Sequence, residues 1–270
     1  MLFLHGWAMT PAVWRPLIAA LDAESFEIQA PALPGHGSIA INIKPTLAAW
    51  ADALAPALPF NATVIGWSLG ALLALELART RPEHVGRLIL LGATPRFVSA
   101  PDWPHGLDAE VVASFTEGYS RQPAQTLRRF LTLQTLGESA IHRTASRIAT
   151  PPQGAASKAS VGAVQQSRRQ LLSQLEAAAV PHTDSPLPAL DDGLKILTTS
   201  DLRPQLAEIR QPVHLIHGSD DALMPVEAAH QIRAALPCAH LSVFEHCGHA
   251  SLLSRADECA ALIGKLAASA

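Results

Sequence analysis

The sequence predicts an α/β protein: a mostly parallel sheet with helices on both faces, interrupted by an inserted run of helices. Three observations carry this. Short apolar runs alternate with longer helical patterns over residues 1–95. The alternation stops over 96–203, where no strand pattern occurs, and it resumes over 204–270. Strands that alternate with helices lie parallel, because each crossover returns the chain to the same end of the sheet. An insertion after Leu91 falls at the carboxyl ends of the strands, where open α/β sheets bind ligands, and is placed to be a lid. The expected division is a core of 1–95 and 204–270 with a helical lid of 96–203.

Element by element, Leu2-Phe3-Leu4, Phe26-Glu27-Ile28, Thr63-Val64-Ile65 and Leu88–Leu91 read as strands of the first zone. Pro11–Leu21, Thr46–Ala57 and Leu69–Arg79 read as the helices between them. In the second zone Ala109–Tyr119, Pro123–Leu136, Ser139–Ile148 and Gln165–Ala178 have helical spacing. The stretch 150–160 is rich in Pro, Gly, Ala and Ser and reads as a mobile connection. The third zone gives strands Val213–His217 and Leu241–Phe244 and helices Pro225–Leu236 and Ala256–Leu266.

Composition narrows the function classes. The 270 residues are 49% hydrophobic and 16% charged, enough for a substantial core and unlike a disordered chain. A net charge of −3 argues against a general nucleic-acid binder. Cys238, Cys247 and Cys259 are odd in number and match no zinc spacing, so neither a disulfide framework nor a metal is expected. The opening Met-Leu-Phe-Leu-His-Gly-Trp is too short an apolar run for a secretory signal, and no run approaches the ~20 residues of a membrane span. The expectation is a cytoplasmic, monomeric enzyme without a cofactor, nucleic-acid partner or membrane attachment.

Gly66-Trp67-Ser68-Leu69-Gly70 fits G-x-S-x-G. The pattern alone is common by chance, but here an apolar strand precedes it and a run of helix formers follows. That is the strand–turn–helix of a nucleophile elbow, in which small residues permit a tight turn that lifts a serine hydroxyl into a cleft. The competing reading is that Ser68 merely caps a helix. A serine nucleophile needs a base, and the base an orienting acid. Candidates follow the last two strands: Asp220 or Asp221 in His217–Pro225, and His246 or His249 in Glu245–His249. The two aspartates are adjacent, so both cannot face one histidine. Gly248 lets its loop turn inward and favours His249. The turn His5-Gly6-Trp7 after the first strand places the Trp7 N–H, with that of Leu69, as an oxyanion hole; the bland reading of Trp7 is core packing.

With these residues in place the sequence resembles the α/β-hydrolase superfamily over nearly its whole length. Within it the chain is similar to the family of pimeloyl-acyl carrier protein methyl ester esterases of biotin synthesis. The matching segments are Leu-His-Gly-Trp (4–7), Val-Trp-Arg (13–15), Gly-Trp-Ser-Leu-Gly (66–70), Asp-Trp-Pro (102–104), 130–137 and 193–203. The last two fall in the expected lid, where generic hydrolases diverge most. The resemblance implies Ser68, Asp221 and His249 as catalytic residues, Asp221 lying three residues past Gly218 and four before Pro225. It implies hydrolysis of the methyl ester of a pimeloyl chain still attached to acyl carrier protein. Trp7, Ser68, Leu69, Phe130, Leu131, Thr132, Leu133, Gln134 and His249 would contact the substrate. Three departures stand out, one of them an apparent extension of the lid around 150–185. Ala32 occupies a position where the superfamily often has aspartate, with His36 outside the catalytic set. The chain also starts almost at Leu-His-Gly-Trp, so the family's preceding β-hairpin is expected to be absent and the sheet edge to need other protection.

Charge points to a carrier partner separately. Residues 121–170 hold eight Lys and Arg against Glu138 alone, a local charge of +7 in a chain of −3. Such a basic lid would steer an acidic macromolecule or phosphate-bearing arm to the cleft. Arg129, beside Phe130, is where the resemblance also places a partner-binding basic residue. Two readings compete with the carrier-protein esterase. One is a broad short-chain carboxylesterase or carbon–carbon bond hydrolase of the same fold; the other is a binding module without turnover.

Overall fold

The computed structural model describes residues 1–22, 25–37, 43–138, 158–181 and 183–268. Five strands, β1 (Leu2–Leu4), β2 (Ala62–Trp67), β3 (Val85–Leu91), β4 (Val213–Gly218) and β5 (Ala239–Phe244), form one sheet in the order β1-β2-β3-β4-β5. Every pairing is parallel; Phe3 lies opposite Ile65, Ile65 opposite Ile89 and Leu215 opposite Leu241.

The alternation along each strand divides the interior in two. Leu2, Leu4, Val64, Leu88, Leu90 and Leu215 belong to one buried cluster, with α2 (Leu47–Leu54), α3 (Leu69–Thr80) and α8 (Val226–Ala235). Phe3, Ile65, Ile89, Leu91 and Ile216 belong to the other, with α1 (Arg15–Ala20) and α9 (Ala256–Ala268). Successive side chains of a strand point to opposite faces, so a sheet covered on both sides needs apolar residues at nearly every position.

Between β3 and β4 run α4 (Ala109–Arg121), α5 (Pro123–Leu133), α6 (Lys158–Ala178) and α7 (Pro188–Thr199). Asp108 caps α4 by accepting from the Glu110 and Val111 N–H groups, and Pro123 opens α5, where its missing N–H is no loss. The end of α6 is stitched to the loop after β1, with Thr10 N–H donating to Ala178 and Val180 N–H to Ala8. Leu171, Leu175 and Ala178 extend the second cluster.

The structure corrects three expectations. Phe26–Ile28 is not a strand: pairing with β1 is confined to a bridge at Gln29, whose N–H donates to Met1 and whose carbonyl accepts from Phe3. The next ladder bond would need an N–H at residue 31, and Pro31 has none. This short contact pairs the outer edge of β1 at Met1 and Phe3. Residues 158–160 open α6 rather than a connection, and α7 was not anticipated, although Leu190, Leu194 and Leu197 have helical spacing. The helix expected over 139–148 and residues 150–157 of the connection lie outside the described residues.

Two histidines are sealed beneath the loops after β1. His5 accepts the Leu33 N–H at Nε2, while His36 packs 5.5 Å from it and edge-on to Trp50. Burial, aided by the neighbouring His36, pushes His5 down to about 3; burial pushes His36 down to about 4. Both stay neutral in the fold, whereas an unfolded chain takes up these protons as pH falls through ~6.5. Their neutral burial is therefore tolerated fully above that value and opposes the fold increasingly as pH drops towards 4. Urea unfolding should show lower stability at pH 5 than at pH 7, by on the order of 2 kcal/mol for each histidine. In His36→Gln the difference between the two pH values should shrink by about that amount.

Candidate active site

The site begins with a backbone constraint. Ser68 joins β2 to α3 with φ +57° and ψ −117°, in a region that side-chain-bearing residues rarely occupy. Its N–H donates to Leu91 and its carbonyl accepts from Ala71 and Leu72, so both sides of the turn are held. The flanking glycines are required by contact. A Cβ on Gly66 would lie 2.4 Å from the Gly70 oxygen, and one on Gly70 would lie 2.0 Å from the Leu4 oxygen. The helix thus starts directly against β1, and Ser68 sits beside the loop that follows β1; a Cβ on Gly6 would lie 3.3 Å from that of Ser68.

Asp221 and His249 come from the loops after β4 and β5 and meet in the interior. Asp221 Oδ2 is 2.7 Å from His249 Nδ1, and Asp221 Oδ1 accepts the Leu223 and Met224 N–H groups at 2.9 Å. His217 donates from Nε2 to the Met224 oxygen and stands 3.5 Å from Asp221 Oδ2. Burial by itself would raise the Asp221 carboxyl; the imidazoles of His249 and His217 and the Met224 N–H outweigh it and hold the group below its ordinary value. Asp221 therefore stays ionised against His249 and fixes its Nδ1 proton, leaving Nε2 as the basic nitrogen. Asp220 is elsewhere: it is exposed, and its carboxylate lies 3.7 Å from His246. The aspartate–histidine pair of the interior is thus Asp221 with His249.

Two further contacts seat the imidazole. Trp67 Nε1 donates to the His249 carbonyl at 3.0 Å, and the two rings lie 5.4 Å apart. Gly92 follows β3 at φ +52°, where a Cβ would come within 2.9 Å of His249 Cε1. Among the described residues the Ser68 hydroxyl has no hydrogen-bond partner, and neither the Trp7 nor the Leu69 N–H has an acceptor. Ser68 is 6% exposed and His249 2% exposed, so the reactive groups are nearly shut off from solvent.

Trp7 ties the site to the helices between β3 and β4. Its Nε1 donates to Leu190 at 2.8 Å, and its ring meets Phe115, Tyr119 and Phe130 edge-to-face. Trp7, Phe115, Phe130, Leu133, Leu197 and Leu223 line an apolar cavity of about 60 Å³. At its rim Val111 and Leu133 are exposed. Of the expected substrate contacts, the structure brings Trp7, Phe130 and Leu133 to this cavity. It does not bring Leu131, which packs into the second core cluster, or Thr132, which faces solvent and bonds Arg128. Gln134 is fully buried with neither amide atom paired among the described residues. Sequence reasoning missed Phe115 and Leu197 as lining residues because their helical spacing looks like ordinary core, and Leu223 because it is a single apolar residue in the loop after β4.

The chain belongs to the α/β-hydrolase fold family, whose sequence pattern matches residues 1–256. Similar solved structures include a bromoperoxidase from Bacillus anthracis (TM-score 0.75, 18% identity, 97% of this chain and 89% of that one). An enol-lactonase from Burkholderia xenovorans is as close in fold (TM-score 0.75, 17% identity, 99% and 90%). At such identities they share the fold alone. The sequence relatives are narrower. The chain is 42% identical to the pimeloyl-acyl-carrier protein methyl ester esterase of Aromatoleum aromaticum, over 97% of this chain and 96% of the relative. It is 37% identical to the enzyme of that name from Nitrosomonas europaea, over 94% and 90%.

The glycine contacts yield a stability test. Gly70→Ala drives a methyl into the Leu4 backbone, which cannot rotate away, and urea unfolding should show a loss of at least about 3 kcal/mol. Gly162→Ala, a helical site with nothing within 4 Å of the added carbon, should be neutral or stabilising by up to about 1 kcal/mol.

Proposed function

We propose that this chain is a serine esterase that hydrolyses the methyl ester of a pimeloyl chain carried on acyl carrier protein, releasing methanol and leaving the pimeloyl carrier free acid. The observation that carries the reading is the 42% identity over nearly the full length of an esterase so named. The buried Asp221–His249 pair and the strained turn at Ser68 support the mechanism.

In this mechanism Ser68 Oγ forms a bond to the ester carbonyl carbon while its proton passes to His249 Nε2. The carbonyl oxygen becomes an oxyanion, received by the N–H groups of Trp7 and Leu69, which have no acceptor among the described residues. The carbon–methoxy bond breaks and His249 returns its proton to the departing methanol. Water then repeats the sequence on the acyl-serine, giving the acid and restoring Ser68. Asp221 keeps the imidazole in the productive tautomer and stabilises its charge without taking the proton.

On this reading 96–203 is a lid over a core of 1–95 and 204–270. Its cavity beside Trp7 and Phe130 takes the methylene chain, and the buried Gln134 amide, unpaired among the described residues, meets a polar group of the substrate. Arg129 is exposed and enters no ion pair among the described residues, while Arg121 and Arg128 line a shallow groove close by. We assign the carrier to this basic face. Arg143 and Arg147, which also contribute to the local charge, lie outside the described residues. A second reading, a broad short-chain esterase, is favoured by the small volume of the cavity.

Ser68→Ala and His249→Ala should each lower kcat on an ester by about 10⁶-fold. Asp221→Asn should lower it by about 10⁴-fold and Asp220→Asn hardly at all; the reverse order of the two aspartates would refute the assignment. Salt separates the two substrate readings. Raising it from 0.1 M to 1 M shortens the Debye length from about 10 Å to about 3 Å. That should depress kcat/KM on the carrier-bound ester and leave a small neutral ester unaffected. Arg129→Glu should reproduce the selective loss. Equal responses of both substrates would favour the broad esterase.

A further inference from the structure

Glu138 is the single acid of a strongly basic stretch, yet its carboxylate points inward to the loop that carries His249. Its Oε1 accepts the Gly248 N–H at 3.0 Å and the Ser254 hydroxyl at 2.8 Å, with the Cys247 thiol 3.7 Å away. The backbone around these bonds is in direct contact. A Cβ on Gly248 would lie 2.0 Å from the Leu136 oxygen, and one on Gly137, at φ +82°, would lie 2.3 Å from the Asp220 oxygen. The Asp220 N–H in turn donates to Cys247. Three segments therefore meet without side chains between them: the end of the α5 turn, the loop bearing Asp221 and the loop bearing His249.

The Gly248 N–H belongs to the Cys247–Gly248 peptide, one residue ahead of His249 in its loop. The bond to Glu138 anchors the loop at this peptide, and so the backbone from which the His249 side chain departs. On the far side of the residue the Trp67 indole holds the His249 carbonyl. The same α5 that contributes Phe130 and Leu133 to the cavity leads through Thr135 and Leu136, whose N–H groups bond back to Thr132 and Leu133, into Glu138.

We propose that Glu138 is a positioning residue for His249, holding the loop of the histidine in register with the helix that lines the acyl cavity. This rests on the reading of Ser68, Asp221 and His249 as the reacting set. A residue acting in this way changes turnover more than binding, since it governs the geometry of proton transfer and not the apolar contacts of the acyl chain.

The test uses a small activated ester, with a fluorophosphonate to label Ser68. Glu138→Ala should lower kcat between about 10- and 100-fold, with KM within about twofold of the wild type. Glu138→Gln keeps an oxygen acceptor for the Gly248 N–H and should recover to within about threefold of the wild type, since it loses only the charge-assisted part of the bond. Glu138→Asp keeps the charge but is one methylene too short to reach, and should show the same 10- to 100-fold loss in kcat, a readout that stands even if the alanine variant does not fold. A kcat within about twofold of the wild type in Glu138→Asp, a loss confined to KM, or an equal loss in Glu138→Gln would each overturn the proposal. A wild-type enzyme that neither hydrolyses the ester nor labels at Ser68 would overturn the catalytic reading itself. An active wild type with indifferent Glu138 variants would overturn only the role of Glu138.

Discussion

Everything at the site depends on the closeness with which the first turn of α3 approaches β1. Gly70 lies against the Leu4 carbonyl with no room for a side chain, and this contact forces the chain through an unfavourable backbone conformation at Ser68. Such a conformation opposes folding by roughly 1–3 kcal/mol. It persists because the helix behind it is buried almost all round, from Leu69 to Ala78. The helix cannot slide to relax the turn without withdrawing its apolar face from the sheet. The hydroxyl is thereby presented at a fixed height above the strand ends, where the loops after β1, β4 and β5 converge.

That convergence explains how three distant parts of the sequence share one site. Parallel strands deliver all their carboxyl ends to the same side of the sheet. Gly92 and Gly218 then let neighbouring loops pass at backbone distance: a Cβ on Gly218 would lie 2.2 Å from the Cys247 oxygen. The electrostatics follow from this crowding. Asp221 has no solvent to neutralise it, and two imidazoles with two backbone N–H groups take that place. Trp7 joins this machinery to the helices between β3 and β4, since one side chain touches α4 and α5 and bonds the carbonyl of Leu190 in α7.

Much of this was legible in the sequence because it is periodic or local. The apolar run Leu88–Leu91 marked a strand, and G-x-S-x-G announced the turn at Ser68. Gly248 marked the inward bend that brings His249 to Asp221. What escaped was set by tertiary contact. Phe26–Ile28 has strand composition, but Pro31 ends its pairing. Leu131 and Leu133 sit in one motif, yet the helical turn sends one to the core and the other to the cavity. Glu138 gave no local signal, because a lone acid among arginines reads as solvated surface until its partners at Gly248 and Ser254 are seen.

The thiols give the site loop an observable of its own. Burial, reinforced by the nearby Glu138 carboxylate, pushes the Cys247 thiol far up, and burial pushes Cys259 up to about 12. Cys238 is exposed. Since the thiolate is the reactive form, an alkylating reagent modifies Cys238 readily at neutral pH and the other two only when their surroundings open. Cys247 adjoins the peptide that precedes His249. The slow phase of alkylation at that sulfur is consequently a clock for the opening of the histidine loop, read by mass without reference to turnover.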